Sequence, residues 1–199
     1  MFIAVEGCVG SGKSTVAKGL ASRRGSKLLL EDFESNPFLR AFYVDPVRNA
    51  TETEFAFLLL HYHQLKAQVV NASNSEVIAD FHLGKDLLYA ELNLRDSPTK
   101  SVFRELYECL AKSTPSVTLM VYLSASSDLL VERIRARKRD YELDIDPGYY
   151  GAVNAAYDLY FSQYPGKKVR IPMDEWDFVG DPELYSRLMS IVDQELNTK

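Results

Sequence analysis

The sequence predicts an α/β fold in which a five-stranded parallel sheet is flanked by helices. Three observations support it: five short apolar runs, segments of helical spacing between them, and a glycine-rich turn after the first run. Strands that alternate with helices form βαβ units, and parallel strands are apolar throughout because helices cover both faces of their sheet. The predicted strands lie at residues 2–5, 28–30, 77–79, 117–123 and 169–171.

The predicted helices fill the intervals between these strands. The spacing of apolar residues places the first helix after the glycine-rich turn, at 15–21, and the others at about 51–71, 84–94, 98–111, 127–139, 147–163 and 182–196. Three starts carry a capping residue followed by proline, at 97–98, 146–147 and 181–182. A chain of 199 residues without repeats or low-complexity linkers predicts one domain, residues 1–199.

The glycine-rich turn at residues 7–14 reads Gly-Cys-Val-Gly-Ser-Gly-Lys-Ser, a complete phosphate-binding P-loop between a strand and a helix. Its glycines let backbone N–H groups point at phosphate oxygens, and the helix N-terminus adds further donors. We expect Lys13 to reach the β- and γ-phosphates of ATP and the Ser14 hydroxyl to ligate Mg²⁺. The residues predicted to bind the nucleotide here are Gly7, Cys8, Val9, Gly10, Ser11, Gly12, Lys13, Ser14 and Thr15.

Two carboxylates follow predicted strands, Glu31 after the second and Asp80 after the third. Ligands of such sheets gather at the carboxyl ends of the strands, which puts both residues beside the P-loop. Asp80 is predicted to be the second Mg²⁺ anchor. Glu31 is either a catalytic base or, like many acids after strands, a residue that caps the next turn.

Arginines recur at positions 133, 135, 137 and 139 near the end of a predicted helix. Positions 133 and 137 share one face of a helix, while 135 and 139 share another. One interpretation is a solvated helix surface. The other, which the chemistry favours, is a mobile lid at about 135–146 whose arginines close over the transferring phosphates.

Composition and charge exclude several functional classes. The 23 basic against 28 acidic residues give a net charge of −5, which argues against broad binding of nucleic acid or membranes. No apolar stretch reaches membrane-spanning length, and the N-terminus is a core strand rather than a signal peptide. The two cysteines, Cys8 and Cys109, form neither a disulfide framework nor a metal cluster, so a reduced, cytoplasmic setting is expected.

Several segments together resemble the deoxyribonucleoside kinases, especially the bacterial purine-type members. The P-loop is one of them; the others are residues 31–39 (Glu-Asp-Phe-Glu-Ser-Asn-Pro-Phe-Leu), 42–46 (Phe-Tyr-Val-Asp-Pro), and 132–139 with Glu142. The resemblance covers most of the chain and implies a P-loop kinase fold and a homodimer. It also implies transfer of the γ-phosphoryl group of ATP, with Mg²⁺, to the 5′-hydroxyl of a deoxynucleoside.

The same resemblance assigns roles by position. Glu31 matches the general base, which together with Lys13, Arg137 and Arg139 would form the catalytic set, the two arginines touching the phosphates of ATP. Arg133 would pack on the ATP base, whereas Arg135 has no family role. The residues matching those that bind the nucleoside are Tyr43 and Glu142 for the sugar 3′-hydroxyl, and Glu54, His61 and Asp86 for the nucleobase.

The chain departs from the family pattern at two positions. The arginine that usually follows the acid after the third strand is Phe81; Lys85, about one turn later, either supplies a substitute cation or points to solvent. The glutamine that usually contacts the base is Glu54, which as a carboxylate favours a base edge rich in N–H donors. Alternatively, Glu54 closes a capping box with Thr51.

Three functions remain open at this point. The first is a deoxynucleoside kinase that slightly prefers purine nucleosides. The second is a nucleoside monophosphate kinase of the thymidylate type, which shares the P-loop and an arginine-bearing lid; the absence of arginine at position 81 argues against it. The third is a degenerate nucleotide-binding homologue, which the intact Lys13, Ser14, Glu31 and Asp80 oppose.

Overall fold

A computed structural model describes residues 1–70, 75–95, 97–142, 146–176 and 182–198, without the side chains of residues 142 and 182. The predicted five-stranded parallel sheet is confirmed, with strand order β2-β3-β1-β4-β5. All four neighbouring pairs are parallel; Ile3, for example, pairs with Ile78 on one side and with Leu119 on the other. The strands are β1 (Phe2–Glu6), β2 (Lys27–Leu29), β3 (Val77–Ala79), β4 (Leu119–Ser124) and β5 (Lys168–Pro172).

Eight α-helices lie in the described part of the chain. They are α1 (Lys13–Arg24), α2 (Leu39–Val44), α3 (Pro46–Leu65), α4 (Gly84–Asn93), α5 (Lys100–Ala111), α6 (Ser127–Ala136), α7 (Pro147–Gln163) and α8 (Pro182–Asn197). A π-helical turn, Lys66–Val70, continues α3, and single 3₁₀ turns occupy Phe33–Ser35, Asp140–Glu142 and Met173–Glu175. Among the described residues no helix is long and apolar enough to cross a membrane.

The two faces of the sheet bury different helices. Along β1, Phe2 and Ala4 belong to the core under α3, while Ile3 and Val5 belong to the core under α1 and α8. Successive side chains of a strand point to opposite faces, so a run that is apolar at every position becomes buried on both sides. The predicted coverage of both faces is therefore confirmed.

The starts of helices α3 and α5 differ from the predictions. Helix α3 begins at Pro46, not near 51, because the Asp45 side chain accepts a hydrogen bond from the Arg48 N–H and Pro46 occupies the first turn. The short helix α2 was not predicted. Helix α5 begins at Lys100 after Thr99, two residues later than expected.

The start of α7 is confirmed, with Asp146 as its cap. The cap expected at 181 lies outside the described residues. At the other end, α6 stops at Ala136, short of the predicted 139.

Candidate active site

A cavity of about 520 Å³ lies at the carboxyl ends of the strands. One wall is the P-loop with Lys13 and Ser14, and the others come from the ends of β2 and β3 and from α3, α4 and the segment after α6. Open parallel sheets bind ligands in this position because the loops after the strands converge there. The cavity brings most of the predicted site residues together.

Glycine is required at two turns of the P-loop. Gly10 and Gly12 adopt φ values of 88° and 99°, which side-chain-bearing residues rarely adopt. At Gly7 an added Cβ would lie 2.6 Å from the Leu123 carbonyl oxygen, so the loop passes close to β4. A side chain at position 7 would therefore collide with β4.

Lys13 begins α1 and folds back over the P-loop. Its Nζ donates to the carbonyl oxygens of Gly7 at 2.8 Å and Cys8 at 3.2 Å. Burial and the nearby Lys85 lower the pKa of Lys13, although Glu31 and Glu6 oppose this shift. Cys8 is buried behind the loop, where burial raises the pKa of its thiol to about 11, so it is a packing residue rather than a nucleophile.

Ser14 and Asp80 meet beside the P-loop. Ser14 Oγ lies 2.5 Å from Asp80 Oδ2, and Asp80 Oδ1 accepts a hydrogen bond of 2.7 Å from the backbone N–H of Glu31. Mg²⁺ in phosphoryl-transfer sites takes one or two protein oxygens and completes its shell with phosphates and water. The pair fits that donor set, and no group of three or more metal-ligating side chains occurs in the described ranges.

Glu31 follows β2 and turns its side chain into the cavity. Lys85 Nζ lies 2.7 Å from Oε2, and His61 Nε2 lies 3.2 Å from Oε1. Burial would raise the pKa of Glu31, but Lys85, His61 and Lys13 outweigh it and hold that pKa well below its usual range. The carboxylate is therefore ionised, and it lines the same cavity as the P-loop.

His61 connects Glu31 to Asp86 within the cavity wall. Its Nδ1 lies 2.7 Å from Asp86 Oδ1, while its Nε2 is within ion-pair distance of Glu31 but off the line of a hydrogen bond. Burial lowers the pKa of His61, but Asp86 and Glu31 raise it to about 9 overall. His61 is thus an imidazolium at neutral pH. Asp86 Oδ2 is buried without a hydrogen-bond partner, so it can accept from a ligand.

Glu54 lies mid-helix in α3, and the capping-box interpretation was wrong because α3 starts eight residues before it. Its Oε1 instead accepts 2.7 Å from Asn93 Nδ2, which also lies 3.1 Å from the Tyr149 hydroxyl. Burial raises the pKa of Glu54 to about 8, so it is mostly a neutral acid at pH 7. Sequence reasoning missed Asn93 and Tyr149, since neither belongs to a local motif.

After β3, Phe81 stands where the family usually has an arginine, and Lys85 follows about one turn later. Phe81 is fully buried, with its ring 4.8 Å from that of His61, so this position faces the core and not the phosphates. Lys85 turns into the cavity, and the alternative that it points to solvent was wrong.

The arginines divide into two groups. Arg133, Arg137 and Arg139 line the cavity, and Arg133 Nη1 donates to the Ser11 carbonyl oxygen at 3.4 Å. Arg135 is exposed and is not among the residues that line the cavity. Because α6 ends at Ala136 and Lys138 has a φ of 52°, the turn rather than helical spacing brings Arg139 back to the cavity.

The segment after α6 packs on the residues that precede α2 and on α2 itself. The Arg139 guanidinium lies 4.2 Å from the centre of the Phe33 ring, and the Tyr141 ring lies 5.2 Å from that of Tyr43. Tyr43 also lines the cavity. The Glu142 side chain and residues 143–145, part of the proposed lid, lie outside the described residues.

The chain is similar to known deoxynucleoside kinases over most of its length. Residues 3–197 match the family model described as deoxynucleoside kinase. A deoxyguanosine kinase of Bacillus subtilis is 30% identical over 164 residues, which cover 81% of this chain and 79% of that protein. A deoxyadenosine kinase of Lactobacillus acidophilus is 28% identical and covers 98% and 95%, respectively.

Solved structures show the same fold. A deoxyadenosine kinase from M. mycoides with bound dATP superposes with a TM-score of 0.83 at 25% identity, covering 97% of this chain and 100% of that one. The same enzyme with dCMP and dCDP gives a TM-score of 0.84 at 23% identity, with coverage of 98% and 100%. Since the family match spans nearly all residues of a chain that carries an intact P-loop, the protein belongs to the deoxynucleoside kinase family.

Proposed function

We propose that this protein transfers the γ-phosphoryl group of ATP to the 5′-hydroxyl of a purine deoxyribonucleoside, with Mg²⁺ as cofactor. The observation that carries the proposal is the ionised Glu31, which stands in one cavity between the P-loop and a buried polar pocket. The names of the relatives, deoxyguanosine and deoxyadenosine kinases, support a purine acceptor.

Phosphoryl transfer needs positioning and charge neutralisation more than covalent chemistry. The P-loop N–H groups and Lys13 would hold the phosphates of ATP. Ser14 and Asp80 would hold Mg²⁺, which would neutralise part of the negative charge of those phosphates. Arg137 and Arg139, which line the cavity, would neutralise the phosphoryl group in flight, and Arg133 would pack on the ATP base.

Glu31 would accept the proton of the 5′-hydroxyl. The hydroxyl oxygen forms a bond to the γ-phosphorus, the bond from that phosphorus to the β,γ-bridging oxygen breaks, and ADP leaves. A carboxylate with a lowered pKa is a weak base, so we infer that it orients the hydroxyl first and takes the proton late, when the oxygen is already bonding to phosphorus.

The other end of the cavity would hold the nucleoside. Tyr43, together with Glu142, would bind the sugar 3′-hydroxyl. A neutral Glu54 both donates and accepts, and Asp86 Oδ2 accepts, which suits the mixed donor and acceptor edge of a purine.

A nucleoside monophosphate kinase is the weaker alternative. It needs cations that are available to an acceptor phosphate. Of the described residues at this end of the cavity, His61 and Lys85 are cations already paired with carboxylates, whereas Glu54 and Asp86 add acidic groups. A neutral acceptor fits this surface better.

The test is a panel of the four deoxynucleosides and their monophosphates, each with ATP and Mg²⁺. We expect phosphorylation of deoxyguanosine or deoxyadenosine and none of the monophosphates. Lys13→Ala should abolish turnover while the fold remains, because it removes the point charge on the phosphates. Turnover of monophosphates, or near-normal activity of Lys13→Ala, would contradict the proposal.

We also propose that the protein is a homodimer, as the family resemblance implies. Sedimentation velocity should then show a species of twice the 22.6 kDa chain mass. A monomer at micromolar concentration would exclude a stable dimer.

A further inference from the structure

Lys85 is a buried lysine in an unfavourable place. Its exposure is 7%, and it stands in the first turn of α4, where the helix dipole disfavours positive charge. Lysine is almost never buried unless it is paired, because desolvation of the ammonium group is costly. Such a residue requires specific partners that compensate for the cost of desolvation and for the unfavourable helix dipole.

Those partners are carboxylates. Lys85 Nζ lies 2.7 Å from Glu31 Oε2, and the charges of Glu6 at the end of β1 and of Asp86 on its own helix also act on it. Burial lowers the pKa of Lys85, but these three groups outweigh it and raise the pKa above its usual value. Lys85 is therefore a permanent cation.

The surroundings fix where this cation lies. Glu6 cannot turn away, since its Oε1 accepts from the His82 backbone N–H at 2.7 Å and its Oε2 accepts from the Tyr157 hydroxyl at 3.2 Å. At Gly84 an added Cβ would lie 2.2 Å from the Tyr160 hydroxyl oxygen. The glycine thus lets α4 start tightly against α7, and the next residue, Lys85, enters the cavity.

We propose that Lys85 is a positioning residue for phosphoryl transfer, which holds Oε2 of Glu31 so that the carboxylate keeps one orientation toward the acceptor hydroxyl. This inference rests on the proposed function. Phe81 is apolar and buried beside His61, so it cannot supply this charge. Lys85, about one turn later in the chain, is a cation that contacts Glu31.

The first test is kinetic and uses Lys85→Met, which keeps the length of the side chain but removes its charge. We expect kcat to fall at least about 10-fold, with little change in the KM for ATP, because the missing interaction acts on Glu31 in the transition state. Lys85→Arg should recover part of the loss. The matched control is Lys100→Met, which removes the lysine of a surface pair with a 2.8 Å contact to Glu91.

The second test separates positioning from general structural damage. If Lys85 acts through Glu31, the double variant Glu31→Gln/Lys85→Met should be no slower than Glu31→Gln alone. Additive losses would overturn the proposal.

A third measurement does not depend on activity. In a crystal structure of Lys85→Met, the Glu31 carboxylate should leave the orientation in which its Oε2 lies 2.7 Å from Lys85 Nζ in the wild type. An unmoved carboxylate would refute the inference even if the wild type phosphorylated no nucleoside. A wild type that is inactive on the whole panel would instead refute the proposed function. Should Lys85→Met not fold, Lys85→Gln serves for all three measurements.

Discussion

Two glutamates in one cavity are held in opposite protonation states. Glu31 faces Lys85, His61 and Lys13, and these cations keep it ionised despite burial. Glu54 accepts a hydrogen bond from the neutral Asn93. Burial is the largest influence on its pKa, which rises to about 8. The same residue type thus provides an anion beside the P-loop and a neutral acid farther along the cavity.

Glu31→Gln tests the base at the residue scale. The amide keeps the shape of the side chain but cannot accept the proton, so we expect kcat to fall by roughly 10²-fold or more with a smaller change in KM. Steady-state kinetics with the best nucleoside of the panel measures this. Glu34→Gln, an exposed neighbour, is the control. A raised KM with unchanged kcat would make Glu31 a binding residue only.

Glu54→Gln tests the raised pKa through stability. Between the ordinary value of 4.5 and about 8, the folded protein keeps a proton on Glu54 that the unfolded chain has released. The free energy of unfolding of the wild type therefore falls as pH rises through this window. Glutamine does not titrate, so Glu54→Gln should gain stability over the wild type progressively from pH 5 to pH 8. Denaturant unfolding at four pH values measures the difference, and parallel curves would contradict the assignment.

At the scale of elements, the turn that ends α6 determines where the side chain of Arg139 lies. Helical spacing alone would leave position 139 beside 135, on a face that is exposed. The helix stops at Ala136, and Lys138 in the left-handed region redirects the chain so that Arg139 stacks on Phe33. The segment after α6 therefore contacts both the cavity and the elements that would hold the nucleoside.

Arg137→Ala and Arg139→Ala test this segment as a phosphate lid. Each removes a cation that lines the cavity, so we expect kcat to fall by about 10²-fold or more, as for other groups that stabilise transition-state charge. Arg135→Ala, which removes an exposed arginine two residues earlier, should stay close to the wild-type rate. Equal kinetics for all three variants would favour a solvated helix surface instead.

At the scale of the whole molecule, the sheet brings distant segments to one edge. Glu31, Asp80 and the P-loop follow three neighbouring strands, β2, β3 and β1, and meet there. A ligand bound at this edge would therefore contact segments that are distant in the sequence.

A nucleotide that binds only the folded protein should stabilise it by mass action. A non-hydrolysable ATP analogue with Mg²⁺, at 100 times its Kd, should raise the free energy of unfolding by about 2.7 kcal/mol. Denaturant unfolding with and without the analogue measures this. The same concentration should stabilise Lys13→Ala far less, and equal stabilisation of both proteins would place the nucleotide elsewhere.

Local patterns in the sequence determined most of the fold and the phosphate site. Neighbouring residues alone predict the P-loop octet and the five strands. The carboxylates after β2 and β3 were predicted because the carboxyl ends of parallel strands lie at the same edge of the sheet, where ligands bind. Helix starts were less predictable, because two capping signals compete near α3 and the structure uses Asp45 rather than Thr51.

Only the tertiary structure decided the partners and charge states of the polar side chains. The contacts of Lys85 with Glu31, of His61 with Asp86 and of Glu54 with Asn93 join residues 25 to 54 positions apart in the chain. Whether a buried acid is ionised depends on which cation packs against it, and no local pattern specifies that. Burial and electrostatic contact arise only when separate elements pack together, so the chemistry of Glu31 and Glu54 is a property of the folded molecule.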